Sequence, residues 1–240
     1  MKYALVTGGT KGIGFSVVER LLDEDYFAYV NYSSDMESAH LARKRLEKYK
    51  DRMSLIQADL SKRSDTLGMI QKIIGETPGI DCIVINAGTT SYERFGSITE
   101  EAWDRVMEVN LNAPFIITQG FSKHINVGGS IVFIGSKMGL VPHGTSLPYS
   151  VSKAGMMFMA RCLAKEFAKL KVTCNAIAPG FVETTWHRNK EVDHRKRIEE
   201  KILLNRFANP SEIADVVMSV VNNEYINGTV IEVDGGYDMK

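Results

Sequence analysis

The chain has 240 residues, 44% of them hydrophobic and 24% charged, enough for a sizeable core in one large α/β domain or two small ones. Basic and acidic side chains balance at 29 each, which argues against nucleic acid or a membrane surface as the main partner. No apolar run approaches the length of a membrane span.

The opening stretch, MKYALVTGGT, turns glycine-rich after only a few apolar residues and lacks the apolar region of a signal peptide, so a cytoplasmic protein is expected. Residues 3–8 read as a buried strand. Residues 12–26 carry apolar side chains at helical spacing. A second strand is expected at 27–32, an amphipathic helix at 36–50, a third strand at 53–59 and a third helix at 64–76. A fourth strand follows at 81–88. Residues 99–125 read as one long helix with Thr99 as N-cap. A fifth strand at 129–136 precedes a helix from Tyr149 to Leu170, then a sixth strand at 172–180. A helix at 209–223, with Pro210 in its first turn, and a seventh strand at 228–236 close the chain. Strands of continuous apolar character alternating with helices imply a doubly wound parallel sheet of the Rossmann type, with helices on both faces. No linker or repeat interrupts it, so one domain spanning 1–240 is expected. The charged stretch around 187–201 breaks the alternation. It reads as a solvated helix or as part of a lid over a site, at 185–205.

Each cysteine (Cys82, Cys162 and Cys174) sits in an apolar segment, and none forms a C-x-x-C pair. Three buried, reduced thiols are expected. No His or Cys cluster has ligand spacing, so no metal is expected. His40, His124 and His194 carry no readable signal.

The loop TGGTKGIG (7–14) lies between the first strand and the first helix. Its glycines allow a sharp turn and close approach of a ligand, and the helix N-terminus favours phosphate. The expected dinucleotide contacts here are Thr7, Gly8, Gly9, Lys11, Gly12, Ile13 and Gly14. The second strand ends in Asn31, Tyr32, Ser33 and Ser34, with no acid before Asp35. Hydroxyls with Lys11 nearby suit a 2′-phosphate, which favours NADP over NAD. Asp59 and Leu60 would meet the adenine, and Asn86, Ala87 and Gly88 would pass close to the cofactor. Pro179, Gly180, Val182 and Thr184 would lie at the nicotinamide. Tyr149 and Lys153 share one helix face at i, i+4, where an ammonium favours the phenolate. Ser136, Met138, His143, Tyr149, Phe181 and Trp186 are the expected substrate contacts, with His187 at the pocket wall.

Six motifs in order cover essentially the whole chain: Thr7-Gly8-x-x-x-Gly12-x-Gly14, Asn86-Ala87-Gly88, Asn110, Ser136, Tyr149-x-x-x-Lys153 and Pro179-Gly180. In these the chain resembles the short-chain dehydrogenase/reductase family. It looks most like bacterial 3-oxoacyl-[acyl-carrier-protein] reductases through TGGTKGIG, APGFVETT and INGTVIEVDGGY. The resemblance implies an enzyme in which Tyr149 exchanges a proton with the substrate oxygen and Ser136 hydrogen-bonds that oxygen. Lys153 would lower the tyrosine's pKa and hold the cofactor ribose, and Asn110 would hold a relay water. Asn110 as a helix-bending polar residue is the structural alternative. The family usually forms homotetramers through the helices around 99–125 and 149–170 and the last helix and strand. An acyl carrier protein would be the partner of the subgroup, but its docking arginines are matched here by Ser130 and Leu170, with Lys123, Lys169 and Lys171 nearby. The readings are therefore an NADP-dependent reductase of 3-oxoacyl thioesters, a dehydrogenase for a hydroxysteroid, polyol or other secondary alcohol, or a dinucleotide-binding sensor without turnover.

Overall fold

The computed structural model describes residues 1–142, 146–186, 191–237 and 239. The expected substrate contact at His143 and the 187–190 part of the expected lid, with His187, lie outside the described residues.

Seven parallel strands form one sheet in the order β3-β2-β1-β4-β5-β6-β7. They are β1 (Lys2–Val6), β2 (Tyr26–Tyr32), β3 (Met53–Gln57), β4 (Ile80–Ile85), β5 (Ile125–Ile134), β6 (Thr173–Pro179) and β7 (Val230–Val233). The order reverses between β1 and β4, which pair in register from Ala4↔Cys82 to Val6↔Val84. That switch point opens a crevice beyond the carboxyl ends of the central strands. One face of the sheet is covered by α1 (Gly12–Asp23) and α8 (Pro210–Val221), the other by α3 (Arg63–Glu76), α5 (Ala113–Phe121) and α6 (Leu147–Glu166). Val17, Val18, Leu21 and Leu22 of α1 are fully buried. Burying such a side chain stabilises the fold by about 1.5–3 kcal/mol. No helix among the described residues is long and apolar enough to cross a membrane.

Several elements differ from expectation for local reasons. The second helix, α2 (Met36–Arg45), stops before Tyr49, which leaves helical geometry to bury its ring. The long helix is three pieces: α4 (Glu100–Met107), a π-turn at Glu108–Asn112, then α5. Pro114 lacks the N–H that a continuous α-helix requires there, so the ladder widens ahead of it. Thr99 does cap α4, accepting from the Ala102 N–H at 3.1 Å. α6 starts at Leu147, because Pro148 suits a first turn, and ends at Glu166. The charged stretch contains α7 (Val192–Glu199), whose Ile198 turns inward against Phe181 and Phe207. Cys82 and Cys174 are buried and burial pushes both thiols up to about 12. Cys162, by contrast, is exposed, because it lies on the outward face of α6.

Candidate active site

Gly8 and Gly12 take left-handed φ values of 60° and 56°, which bend the chain from β1 into α1. No side chain caps the N-terminus of α1, so its first N–H groups are left for an anion at the crevice floor. Gly14 serves packing: a Cβ there would fall 2.4 Å from the Gly8 carbonyl oxygen. Thr7 is wholly buried and its hydroxyl accepts from the N–H groups of Asn86 and Ala87 at 2.9 and 3.0 Å. Asn86 returns two hydrogen bonds from Nδ2 to the carbonyls of Thr7 and Gly8. The glycine loop and the segment after β4 are thus stitched into one wall. Asn31 extends the stitching, accepting from Gly8 N–H at 3.3 Å and donating to the Ala58 carbonyl at 3.0 Å.

A cleft of about 1010 Å³ runs along this wall. Of the expected cofactor contacts, all but Thr7, Gly9 and Gly14 line it, and those three lie behind it as packing. At one end stand Tyr32, Ser33, Ser34 and the Lys11–Asp35 ion pair, Nζ to Oδ2 at 2.6 Å. Hydrogen bonding from Lys11, then from Ser38, holds the Asp35 carboxyl down at about 2. Burial raises the Asp59 carboxyl, but the Ser61 N–H and hydroxyl, with the charges of Lys62 and Arg105, outweigh it and keep it below its ordinary range.

At the other end Ser136, Tyr149 and Lys153 come together, Ser136 after β5 and the pair on the first turns of α6. Burial raises the Tyr149 phenol, and a hydrogen bond from Ser136 opposes that rise. Lys153 is 3% exposed and donates to the Ile134 carbonyl at 2.7 Å, its Nζ lying 5.7 Å from the centre of the Tyr149 ring. Burial drives its pKa down to about 7. Burial sets the direction for both groups, and the Lys153 amine is engaged with the Ile134 carbonyl. Asn110 sits in the π-turn, fully buried, with its amide bonded to the Thr89 N–H and carbonyl and to the Ser152 hydroxyl. It pins the segment after β4 against α6.

Met138, Phe181 and Trp186 line the same end. Trp186 packs edge-on to Tyr149, with ring centres 5.9 Å apart, and donates from Nε1 to the Tyr92 hydroxyl at 2.9 Å. Tyr92 escaped the sequence reading; an aromatic soon after Asn86-Ala87-Gly88 is the signal that could have found it. Ser146 holds that loop by donating to the Ser91 carbonyl at 2.6 Å. His194, Arg197 and Lys201, in the stretch expected to form a lid but not among the expected contacts, also line the cleft. Of the positions matched to docking arginines, Ser130 is buried inside β5, bonded by the Thr173 hydroxyl at 3.1 Å, and Leu170 packs against the core.

A family model for short chain dehydrogenases matches residues 2–195. The chain belongs to this family. A 3-oxoacyl-[acyl-carrier-protein] reductase from Aquifex aeolicus is 32% identical over 239 residues, covering 98% of this chain and 96% of the relative. A probable tetrahydroxynaphthalene reductase from Zymoseptoria tritici is 29% identical, covering 99% and 95%. Among solved structures, a short-chain dehydrogenase/reductase from Serratia marcescens superposes with a TM-score of 0.93 at 25% identity, covering 99% and 98%. A blue fluorescent protein from a metagenomic library, in complex with NADPH, gives 0.91 at 27% identity, covering 98% and 97%. As a short-chain dehydrogenase the chain is an NAD(P)-dependent oxidoreductase. Its uncapped α1 N-terminus and its two left-handed glycines beside the cleft fit a dinucleotide's phosphates.

Proposed function

We propose that this short-chain dehydrogenase is an NADP-dependent carbonyl reductase acting on 3-oxoacyl thioesters. The observation that carries the reading is the convergence of Ser136, Tyr149 and Lys153 at the end of a cleft whose floor is a glycine loop. Bound nicotinamide supplies the hydride for the carbonyl carbon. The Tyr149 hydroxyl gives its proton to the carbonyl oxygen, which the Ser136 hydroxyl steadies as charge develops. With the cofactor bound, Lys153 would hold its ribose and pass a proton to the tyrosine, taking one back in turn from solvent. Asn110, with its amide engaged at both ends, keeps the Thr89 segment in place beside them. Ser33, Ser34 and Lys11 support the preference for NADP. The 185–205 segment is proposed as the substrate lid of one 240-residue domain, acting in the cytoplasm as a homotetramer.

A second reading, a dehydrogenase for a hydroxysteroid, polyol or other secondary alcohol, draws on the Trp186–Tyr92 hydrogen bond, which walls the cleft beside Tyr149. Burial of Ser130 weighs against a carrier-protein dock there and is neutral between the two. The test is NADPH consumption, with NADH in parallel, on an acetoacetyl thioester and on steroid and sugar ketones. Thioester turnover is expected, and Tyr149→Phe should abolish most of it while retaining NADPH binding. Activity on the ring ketones alone would transfer the chain to the second reading.

A further inference from the structure

Ser136 stands on a very short platform. The turn after it, Lys137–Gly139, is a single 3-10 turn, whose hydrogen bonds are too poorly aligned to fix a side chain by themselves. Its backbone is anchored at both ends. The Gly135 N–H donates to the Ile177 carbonyl on β6 at 2.7 Å, and Gly139 lies so close to α6 that a Cβ there would fall 2.7 Å from the Ala154 nitrogen. Between these anchors the bonds are local. The Ser136 hydroxyl accepts from the Met138 N–H at 3.2 Å, and the Lys137 carbonyl accepts from the N–H groups of Leu140 and Val141 at 2.9 and 3.1 Å. Lys137 is the one charged side chain of the turn, and it ties the turn to a distant element. Its ammonium pairs with Glu232 on β7 and, at 2.9 Å, with Asp234 just beyond, so the contact spans the end of β6. The Lys137 and Asp234 side chains are 16% and 12% exposed, the most sheltered ion pair among the described residues. Asp234 is fixed in turn. It accepts from the Gly236 N–H at 2.9 Å and packs on Gly180, where a Cβ would fall 2.8 Å from its own. Hydrogen bonding to Glu232, then to Asp234, holds the Lys137 ammonium above its ordinary range. Lys137 borders the cleft, but its charge is already spent inside the protein.

We propose that Lys137 is a positioning residue: its clamp on β7 holds the turn that aims the Ser136 hydroxyl at the substrate oxygen. The proposal rests on the carbonyl-reductase reading, in which Ser136 steadies that oxygen, and adds a residue that does not touch the substrate. A donor aimed at developing charge works best when it is held in place beforehand, and a displacement of about 1 Å can cost on the order of a hundredfold in rate. Without the clamp the turn still forms, but only its two backbone ends set its direction. Release of the turn should therefore slow the chemical step and leave cofactor binding alone.

The experiment is a double-mutant cycle in kcat, run on whichever thioester or ketone the wild type reduces with NADPH. Lys137→Met should lower kcat about tenfold, with KM for the carbonyl and the dissociation constant of NADPH changed less than about twofold. Lys137→Arg keeps the charge and should recover most of the loss. In a Ser136→Ala background, Lys137→Met should cost less than about twofold more, because the donor that it aims is gone. If Lys137→Met fails to fold because Asp234 is left sheltered and unpaired, Lys137→Met/Asp234→Asn removes both charges and replaces it in the cycle. A tenfold loss in both backgrounds would show that Lys137 does not act through the serine, and overturns the proposal. So does an unchanged kcat in Lys137→Met, or a change confined to KM, which would make Lys137 a substrate contact. Full turnover by Ser136→Ala would overturn the role given to the serine, and the proposal with it. If the wild type reduces none of the carbonyls, the reductase reading has failed by itself, and hydrogen exchange at the Leu140 and Val141 amides decides the clamp. Faster exchange confined to that turn in Lys137→Met supports it; unchanged exchange overturns it.

Discussion

Lys11 and Asp35 meet at 2.6 Å on the rim where the second strand ends, and their pairing changes what each means for cofactor choice. Taken alone, Lys11 favours a 2′-phosphate and Asp35 opposes it. Both side chains are nearly half exposed, so the pair contributes at most about 1 kcal/mol. A doubly charged phosphate competes well against a bond that weak. Lys11→Ala is therefore expected to weaken NADPH more than NADH, and Asp35→Asn to strengthen NADPH by releasing the lysine; dissociation constants from cofactor fluorescence check both, and equal effects on the two cofactors would remove Lys11 from the phosphate. Lys153 gives the second expectation at this scale. Its folded pKa of about 7 lies well below its ordinary value, so across the interval between the two the unfolded chain binds the extra proton and stability rises with pH. Activity runs the other way. Tyr149 keeps its proton, raised by burial, and the reaction loses the ammonium as pH climbs. Reductive kcat/KM should fall through about pH 7, and Lys153→Arg, charged throughout, should remove that limb from the profile. The roles of Tyr149 and Lys153 were legible because they sit four residues apart on one helix. The pairing of Lys11 with Asp35 was not, because 24 residues and a strand separate them, and neither was the burial that sets both pKa shifts.

Two elements meet at the mouth of the cleft, and only side-chain geometry reveals it. Tyr92 comes from the segment after β4 and Trp186 from the segment after β6, 94 residues apart. Local periodicity cannot pair residues across that interval, whereas it does place α1, α3 and α8, whose apolar faces repeat with the helix. The π-turn is an intermediate case. Pro114 is visible in the sequence, but its effect, a widened turn that carries Asn110 to Thr89 and Ser152, depends on where α6 packs. The clasp itself is a single exposed hydrogen bond, worth about 0.5–1.5 kcal/mol. Trp186→Phe keeps a ring against Tyr149 and loses the donor. Its KM for the carbonyl substrate should rise by about two- to tenfold with kcat little changed, and adding Tyr92→Phe should cost almost nothing further. Fully additive losses in steady-state kinetics would show that the two side chains act separately.

The whole sheet was legible from seven apolar runs and the helices between them, because a strand buried on both faces needs a continuous apolar run and each crossover needs a helix. The outward face of α6 was not. The run AGMMFMARCLA is consistent with core and interface alike, and the structure divides it: Met156, Met157 and Ala160 are buried, while Phe158 is 66% exposed and Cys162 lies bare on the same side. Val151 adds to that side from the preceding turns, and α5 exposes Phe115. Large apolar side chains left in water on two helices are the pattern expected of a face that a second copy covers. Phe158→Glu would place a charge in that contact and should shift the protein to a smaller species in light scattering, with the far-UV spectrum retained. The thiols supply an independent readout. Cys82 and Cys174 are buried in the core and resist an aromatic disulfide reagent in either state. Cys162 should be protected in the assembled wild type and titrate as one fast thiol in Phe158→Glu. A fast Cys162 in the wild type would mean that this face is open to solvent and that the copies, if they associate, do so elsewhere.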